Sequence, residues 1–169
     1  MKTKKLTIPA WFMNIKYNGR IIPNGQPHNI LTTGANCQVF AYYLLRYHNL
    51  VVPDFRSSEL WTDTTFSEVV MTNYQPLDIL FFHKKNNAYG AHLAVYLGNN
   101  QAIHNAKKNG VPVIYYVRGD KPAASGAYDQ VGFQGVVREQ AIKQHKLVLA
   151  PAAFRPDANE RVLARQGLR

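Results

Sequence analysis

Only one cysteine, Cys37, occurs in the 169 residues. It cannot form an internal disulfide, and without a CxxC pair the familiar zinc and dithiol redox motifs are excluded. Long apolar runs are missing too. The longest, Leu147 to Phe154, is broken by Pro151 and falls far short of the roughly 20 residues that a membrane-spanning helix needs. There is no collagen-like, heptad or solenoid period, and no HExxH. Acidic residues are scarce, ten Asp and Glu against twenty Lys and Arg, which leaves a net charge of +10. Such a field favours polyanions such as nucleic acid, anionic lipid or an acidic cell-wall polymer. The basic residues never run longer than two together, however, and no RNP, zinc-finger or helix-turn-helix pattern accompanies them, so nucleic-acid binding is not the expected function.

With 46% hydrophobic and 18% charged residues the chain is too apolar to be disordered, and its length suits one compact domain. The basic start, Met1-Lys2-Thr3-Lys4-Lys5, is like that of a secretion signal. Pro9, Asn14 and Lys16 interrupt the apolar stretch after it, and no small-residue cleavage site is present, so the protein is expected to be made in the cytoplasm without a recognisable signal peptide.

Residues 1 to 35 are rich in Gly, Pro and Asn and predict an irregular N-terminal wrap with one strand-like stretch around Lys16 to Ile22. Between Cys37 and His48, Phe40, Ala41, Leu44 and Tyr47 recur at helical spacing, with Asn36 or Thr33 as N-cap and Asn49 as stop. After Pro53, Ser57 or Ser58 can cap a shorter helix through Glu59, Leu60 and Trp61. The period then changes to two. Asp78 to His83, Ala91 to Leu97, Gln101 to Asn105, Val111 to Val117 and Gly132 to Val137 read as strands parted by Gly, Asn and Lys turns. Helices first and antiparallel strands after predict an α+β domain with helices packed on one sheet face. Beyond Arg138 a basic tail, broken at Pro151 and Pro156, reads as an extension rather than a second domain.

Cys37 opens its predicted helix, where unpaired N–H groups and the helix dipole favour a thiolate. The competing reading is a small buried hydrophobe. A reactive thiol needs a base, and six histidines are available: His28, His48, His83, His92, His104 and His145. His92 and His104 stand out because they lie on the two arms of one predicted hairpin around Gly98-Asn99-Asn100. Direct opposition would place their Cβ atoms about 5 Å apart. A slip of one residue would put Asn105 opposite His92 instead, and either residue can orient a base through its second nitrogen. A lone strand histidine is commonly a satisfied core or surface residue. A helix-start cysteine together with two strand histidines is the pattern of nucleophile, base and orienter. The same residue types permit a Cys-His-His zinc site.

Five segments together resemble the NlpC-type cysteine peptidases, papain-like hydrolases that cut the peptide stems of bacterial cell wall. Asn36-Cys37-Gln38-Val39-Phe40-Ala41 stands where that family reads Asp-Cys-Ser-Gly-Phe-Val, and Val52 to Ser58 loosely matches its Leu-Pro-Arg-Thr-Ser turn. Pro76-Leu77-Asp78-Ile79 resembles its Pro-Gly-Asp-Leu. His92-Leu93-Ala94-Val95-Tyr96-Leu97-Gly98 is similar to its base strand, and Ala102-Ile103-His104-Asn105-Ala106 to the strand after it. The resemblance spans residues 33 to 117 and departs at Asn36, Gln38, Val39 and Leu77.

The resemblance implies a papain-like catalytic domain over residues 1 to 137, with 138 to 169 as the basic extension. Cys37 would be the nucleophile, His92 the base and His104 the orienter, with no cofactor and no metal. The backbone N–H of Cys37 is a natural oxyanion donor. A tyrosine often stands upstream of the family's cysteine, and here Tyr17 and His28 are the upstream candidates. The implied substrate is a peptidoglycan peptide, with the basic surface suited to an anionic wall reached by specialised export or other delivery. An acyltransferase or hydrolase of another amide or thioester would keep the fold. A basic binding module for nucleic acid or wall polymer would leave Cys37 inert.

Overall fold

The computed structural model describes residues 6–23, 29–70, 73–83, 88–118, 121–122 and 132–139. The chain is α+β. After a 3-10 turn at Ala10–Asn14 come three helices, α1 (Ile30–Thr33), α2 (Cys37–Tyr47) and α3 (Ser57–Thr62). Seven strands follow: β1 (Ser67–Val70), β2 (Ile79–His83), β3 (His92–Gly98), β4 (Gln101–Asn105), β5 (Pro112–Arg118), β6 (Lys121–Pro122) and β7 (Gly132–Glu139). They form one sheet in the order β1-β7-β2-β3-β4-β5-β6, and every neighbouring pair runs antiparallel. No described helix is long and apolar enough to cross a membrane. The tail from residue 140 onward, with His145, lies outside the described residues, as does His28.

The predicted long helix is α2, one residue shorter than expected. Asn36 is its cap: the side chain accepts the Val39 N–H at 2.8 Å, and Asn49 ends the segment at φ 63°. An asparagine caps as well as the aspartate of the resembling family, so that departure leaves the helix start intact. The shorter helix differs from expectation in its cap. Arg56, not a serine, precedes it, and Glu59 folds back to accept the Arg56 N–H at 2.6 Å, while Ser57 is buried inside the first turn.

The five predicted strands all form. β1 and β6 are additions, four and two residues long, too short for a periodic pattern to show. The stretch from Lys16 to Ile22 is not a strand. It makes a single bridge, Tyr17 to Ala35, before Asn18 turns the chain by accepting the Arg20 N–H.

One face of the sheet carries Ile79, Phe81, Leu93, Val95, Leu97 and Ile103 against Phe40, Leu44 and Leu45 of α2 and against Phe12, Ile15 and Ile30 of the N-terminal wrap. The other face carries Leu80, Phe82, Ala94, Tyr96, Ala102 and Val117. β3 is therefore apolar on both sides, which explains a sequence of nearly continuous hydrophobicity at its centre.

Two local devices hold the start of α2. Gly34 sits at φ 71°, and a Cβ there would stand 2.5 Å from the Lys16 carbonyl oxygen, so only glycine lets the wrap approach so closely. The fully buried Asn105 then donates from Nδ2 to the carbonyls of Ile15 and Ala35, at 3.3 and 3.2 Å. At the far end of β3, Leu77 occupies φ 80° after Pro76, in a turn closed by the Asp78 N–H on the Gln75 carbonyl. Leucine at this left-handed position carries strain of about 1–2 kcal/mol, which a glycine would not.

Asn105→Leu removes the side-chain donor from the Ile15 carbonyl and leaves the Ala35 carbonyl with the Asn18 N–H alone. It is expected to lower unfolding stability by about 2–4 kcal/mol, seen as a lower denaturant midpoint at unchanged m. An unchanged midpoint would contradict the tie between β4 and the wrap.

Candidate active site

The hairpin of β3 and β4 turns through Asn99 and Asn100, at φ 50° and 56°, a primed turn that suits asparagine. A register shift lies between Tyr96 and Gly98, so that Val95 pairs with Ile103 and Tyr96 with Ala102. His104 therefore lies across from Ala94, diagonal to His92. The direct opposition expected from the sequence is corrected by two residues because the turn closes on Gly98 and Gln101 and the shift falls beside it. A two-residue displacement keeps both imidazoles on one face. The rings stand 4.9 Å apart, nearly perpendicular, with His92 Nε2 2.8 Å from His104 Nδ1. Asn105 points to the opposite face and its amide is engaged with the wrap.

Cys37 is the first residue of α2 and His92 the first of β3. The backbone N–H groups of Leu93, Gln38 and Cys37 itself favour the thiolate form of Cys37. The Leu93 amide is the one that directly follows His92, so the thiol lies at the His92-Leu93 peptide. Of the first N–H groups of α2, Val39 donates to the Asn36 side chain and Phe40 to the Asn36 carbonyl.

Burial pushes the Cys37 thiol above its ordinary range, and the three backbone hydrogen bonds pull the other way without prevailing. The helix-start stabilisation expected from the sequence is thus present and outweighed. Burial, and after it the charge of Cys37, push the Tyr17 phenol up. Its ring folds back over Gly19, where a Cβ would stand 3.3 Å from the phenol oxygen.

Burial lowers His92 to about 3, helped by the adjacent His104, and burial alone lowers His104 to about 4. Both rings are therefore neutral at pH 7, and so is the thiol. His48 closes α2 at the end away from Cys37, and His83 lies on β2 with its side chain outside the described residues. Among the described residues no three His, Cys, Asp or Glu side chains stand close enough to hold a metal ion, so the zinc alternative finds no ligand set there.

Two further rings escape a reading of the sequence alone. Phe82, paired with His92 across β2 and β3, lies 6.4 Å from it, and Tyr115 on β5 lies 4.9 Å from His104. The alternation of β2 and β5 carries the signal, but only once their registers against β3 and β4 are known.

The depressed imidazoles have a consequence for stability. A histidine of the unfolded chain titrates near 6.5, and these two titrate near 3 and 4 when folded, so their neutral forms stabilise the fold above about pH 6.5 and that contribution is lost as pH falls toward 4. The unfolding free energy is expected to hold between pH 7 and 8 and to drop by on the order of 5 kcal/mol by pH 4.5. His104→Asn, which keeps an acceptor that does not titrate, should flatten part of that loss. A denaturation midpoint independent of pH down to 4.5 would contradict the burial of the pair.

No curated protein matches the chain. Among solved structures it is similar to an NlpC/P60 family protein from Bacillus cereus ATCC 10987, with 18% identity and a TM-score of 0.46 over 63% of this chain. It spans 32% of that protein's length. It is also similar to the P60 domain of an antigen from M. avium subspecies paratuberculosis, with 16% identity and a TM-score of 0.42, covering 64% of this chain and 79% of that one. The family model for NlpC/P60, a family in general of cell-wall peptidases and amidases, matches residues 24–145. That match takes in α2, β3, β4 and most of the chain, and the protein belongs to the NlpC/P60 family.

Proposed function

We propose that the protein is a cysteine hydrolase that cleaves amide bonds in peptidoglycan stem peptides, with Cys37 as nucleophile, His92 as base and His104 as orienter. The single observation that carries this reading is the 2.8 Å contact of His92 Nε2 with His104 Nδ1 beside a helix-start thiol.

The tautomers follow from that contact. For His92 to take a proton at Nδ1 while neutral, its own proton must sit on Nε2 and be donated to His104 Nδ1. His104 then carries its proton on Nε2. In the acylation step the thiol proton passes to His92 Nδ1 as sulfur attacks the scissile carbonyl carbon, and the charge that develops on the carbonyl oxygen meets the N–H groups at the start of α2. His92 then gives the proton to the leaving amine and a thioester remains on Cys37. Water attacks the thioester, its proton going to His92 and back to the departing sulfur, which releases a carboxylate and restores the neutral pair.

The resting state in this scheme is thiol and imidazole rather than a preformed ion pair. That costs nucleophilicity at rest and makes the transient imidazolium a strong acid for expelling an amine. Tyr17 supplies a hydroxyl at the edge of the same site. The surroundings also suit an anionic wall. Exposed Lys16 and Arg20 on the wrap and Lys107 and Lys108 on the β4–β5 turn are brought together by the Tyr17 N–H on the Gly110 carbonyl, at 2.7 Å. The proposal carries with it delivery to the cell wall.

Incubation with purified peptidoglycan and defined stem peptides, with products identified by mass, tests the reading. Cleavage at an amide bond is expected, with Cys37→Ala lowering the rate by about a thousandfold or more and His92→Ala by a similar factor. His104→Ala should leave more activity, because an oriented base is lost only in part. Binding to wall polymer should change little in all three. A Cys37→Ala protein with full activity would overturn the proposal and leave a basic binding module.

A further inference from the structure

The imidazole pair is part of a longer file. Phe82, His92, His104 and Tyr115 come from β2, β3, β4 and β5, four neighbouring strands, and their rings follow one another across the sheet. Successive ring centroids are 6.4, 4.9 and 4.9 Å apart. The two histidines are thus bracketed by aromatic rings from the strands on either side. Tyr115 sits directly across from Ala102, whose small side chain leaves the ring room to lean toward His104, at 54° to its plane. His104 itself is only 3% exposed.

In hydrolases with an aspartate as third member, a fixed charge aligns the base. Here burial shifts both imidazoles, and the one charge effect on His92 comes from His104 rather than from a carboxylate. Of the other titratable groups at the site, Cys37 at the start of α2 and Tyr17 on the wrap are both pushed upward and neutral at pH 7. Alignment and protonation state of the pair therefore depend on what excludes water from it and restricts its planes.

We propose that Tyr115 is a positioning residue for the imidazole pair, its ring walling His104 from water and holding the plane in which Nδ1 meets His92. The ring contact of Tyr115 with His104 forms the wall. It rests on the hydrolase reading only for its kinetic effect; the effect on His104 stands without it.

The test compares the full chain with Tyr115→Ala, Tyr115→Leu and Tyr115→Phe. Two readouts are used: kcat and KM on a stem peptide between pH 3.5 and 8, and NMR titration of the His104 ring in the resting protein. Tyr115→Ala should raise the acid limb of kcat and the His104 titration by about one pH unit or more and lower kcat by about twofold or more at pH 5, with KM within about twofold. Tyr115→Phe should restore the parent values. Tyr115→Leu, which fills the volume without a planar wall, should shift both readouts part of the way and serves if the alanine variant does not fold. A Tyr115→Ala or Tyr115→Leu protein whose His104 titrates as in the parent would overturn the proposal, as would a Tyr115→Phe protein as impaired as Tyr115→Ala. If no stem peptide is cleaved even by the parent, the hydrolase reading fails and the titration alone decides the role of Tyr115.

Discussion

The hydrogen bond between His92 Nε2 and His104 Nδ1 is the constraint on which the rest of the site depends. At 2.8 Å it couples two groups of identical chemistry, so only the surroundings can decide which one donates. A second proton on His104, at Nδ1, would put two N–H groups face to face and break it, whereas a second proton on His92 goes to Nδ1 and leaves it intact. The pair orients the base as long as His104 stays neutral, and burial on the sheet keeps both rings neutral at rest, lowering His104 to about 4 and His92 to about 3. A carboxylate in the third position would hold an imidazolium more firmly and would itself be costly to bury. Histidine there gives a weaker hold and a site without a net charge at rest.

The same balance governs the nucleophile. Three backbone hydrogen bonds favour the Cys37 thiolate, burial disfavours it, and burial prevails. The geometry of the helix start is over-determined by groups remote from the chemistry: the Asn36 cap, the close approach that Gly34 permits, and the Asn105 amide gripping the carbonyls of Ile15 and Ala35. Asn105 is one residue beyond His104 and faces the other way. A single pair of adjacent residues on β4 therefore serves both faces of the sheet, one orienting the base and the other anchoring the segment that presents Tyr17 and Cys37.

Much of this is legible in the chain. The α2 helix and its asparagine cap follow from spacing and capping preference, and the strands follow from period-two alternation. The His92–His104 contact follows from the hairpin, though as a direct pair rather than the diagonal one observed. Register is poorly written in this sequence because β3 is buried on both faces, so no polar row marks the correct pairing, and the shift beside Gly98 is a property of the turn. The N-terminal wrap reads locally as containing a strand, whereas its order comes from long-range ties such as Asn105 to Ile15, invisible to any local window. The sign of the thiol's shift is hidden for the same reason: helix position is local, burial is not. Phe82 and Tyr115 become meaningful only after four strands are placed side by side.

Protonation of the two imidazoles at neutral pH is the most direct measurement of the site's central constraint. Long-range proton–nitrogen NMR on the 15N-labelled protein distinguishes the tautomers and the charged form of each ring. At pH 7 both rings should be neutral and both should carry their proton on Nε2, with the His92 signal unchanged down to about pH 4. A His92 ring protonated on both nitrogens at pH 7, paired with a Cys37 thiolate, would contradict a neutral, burial-held pair.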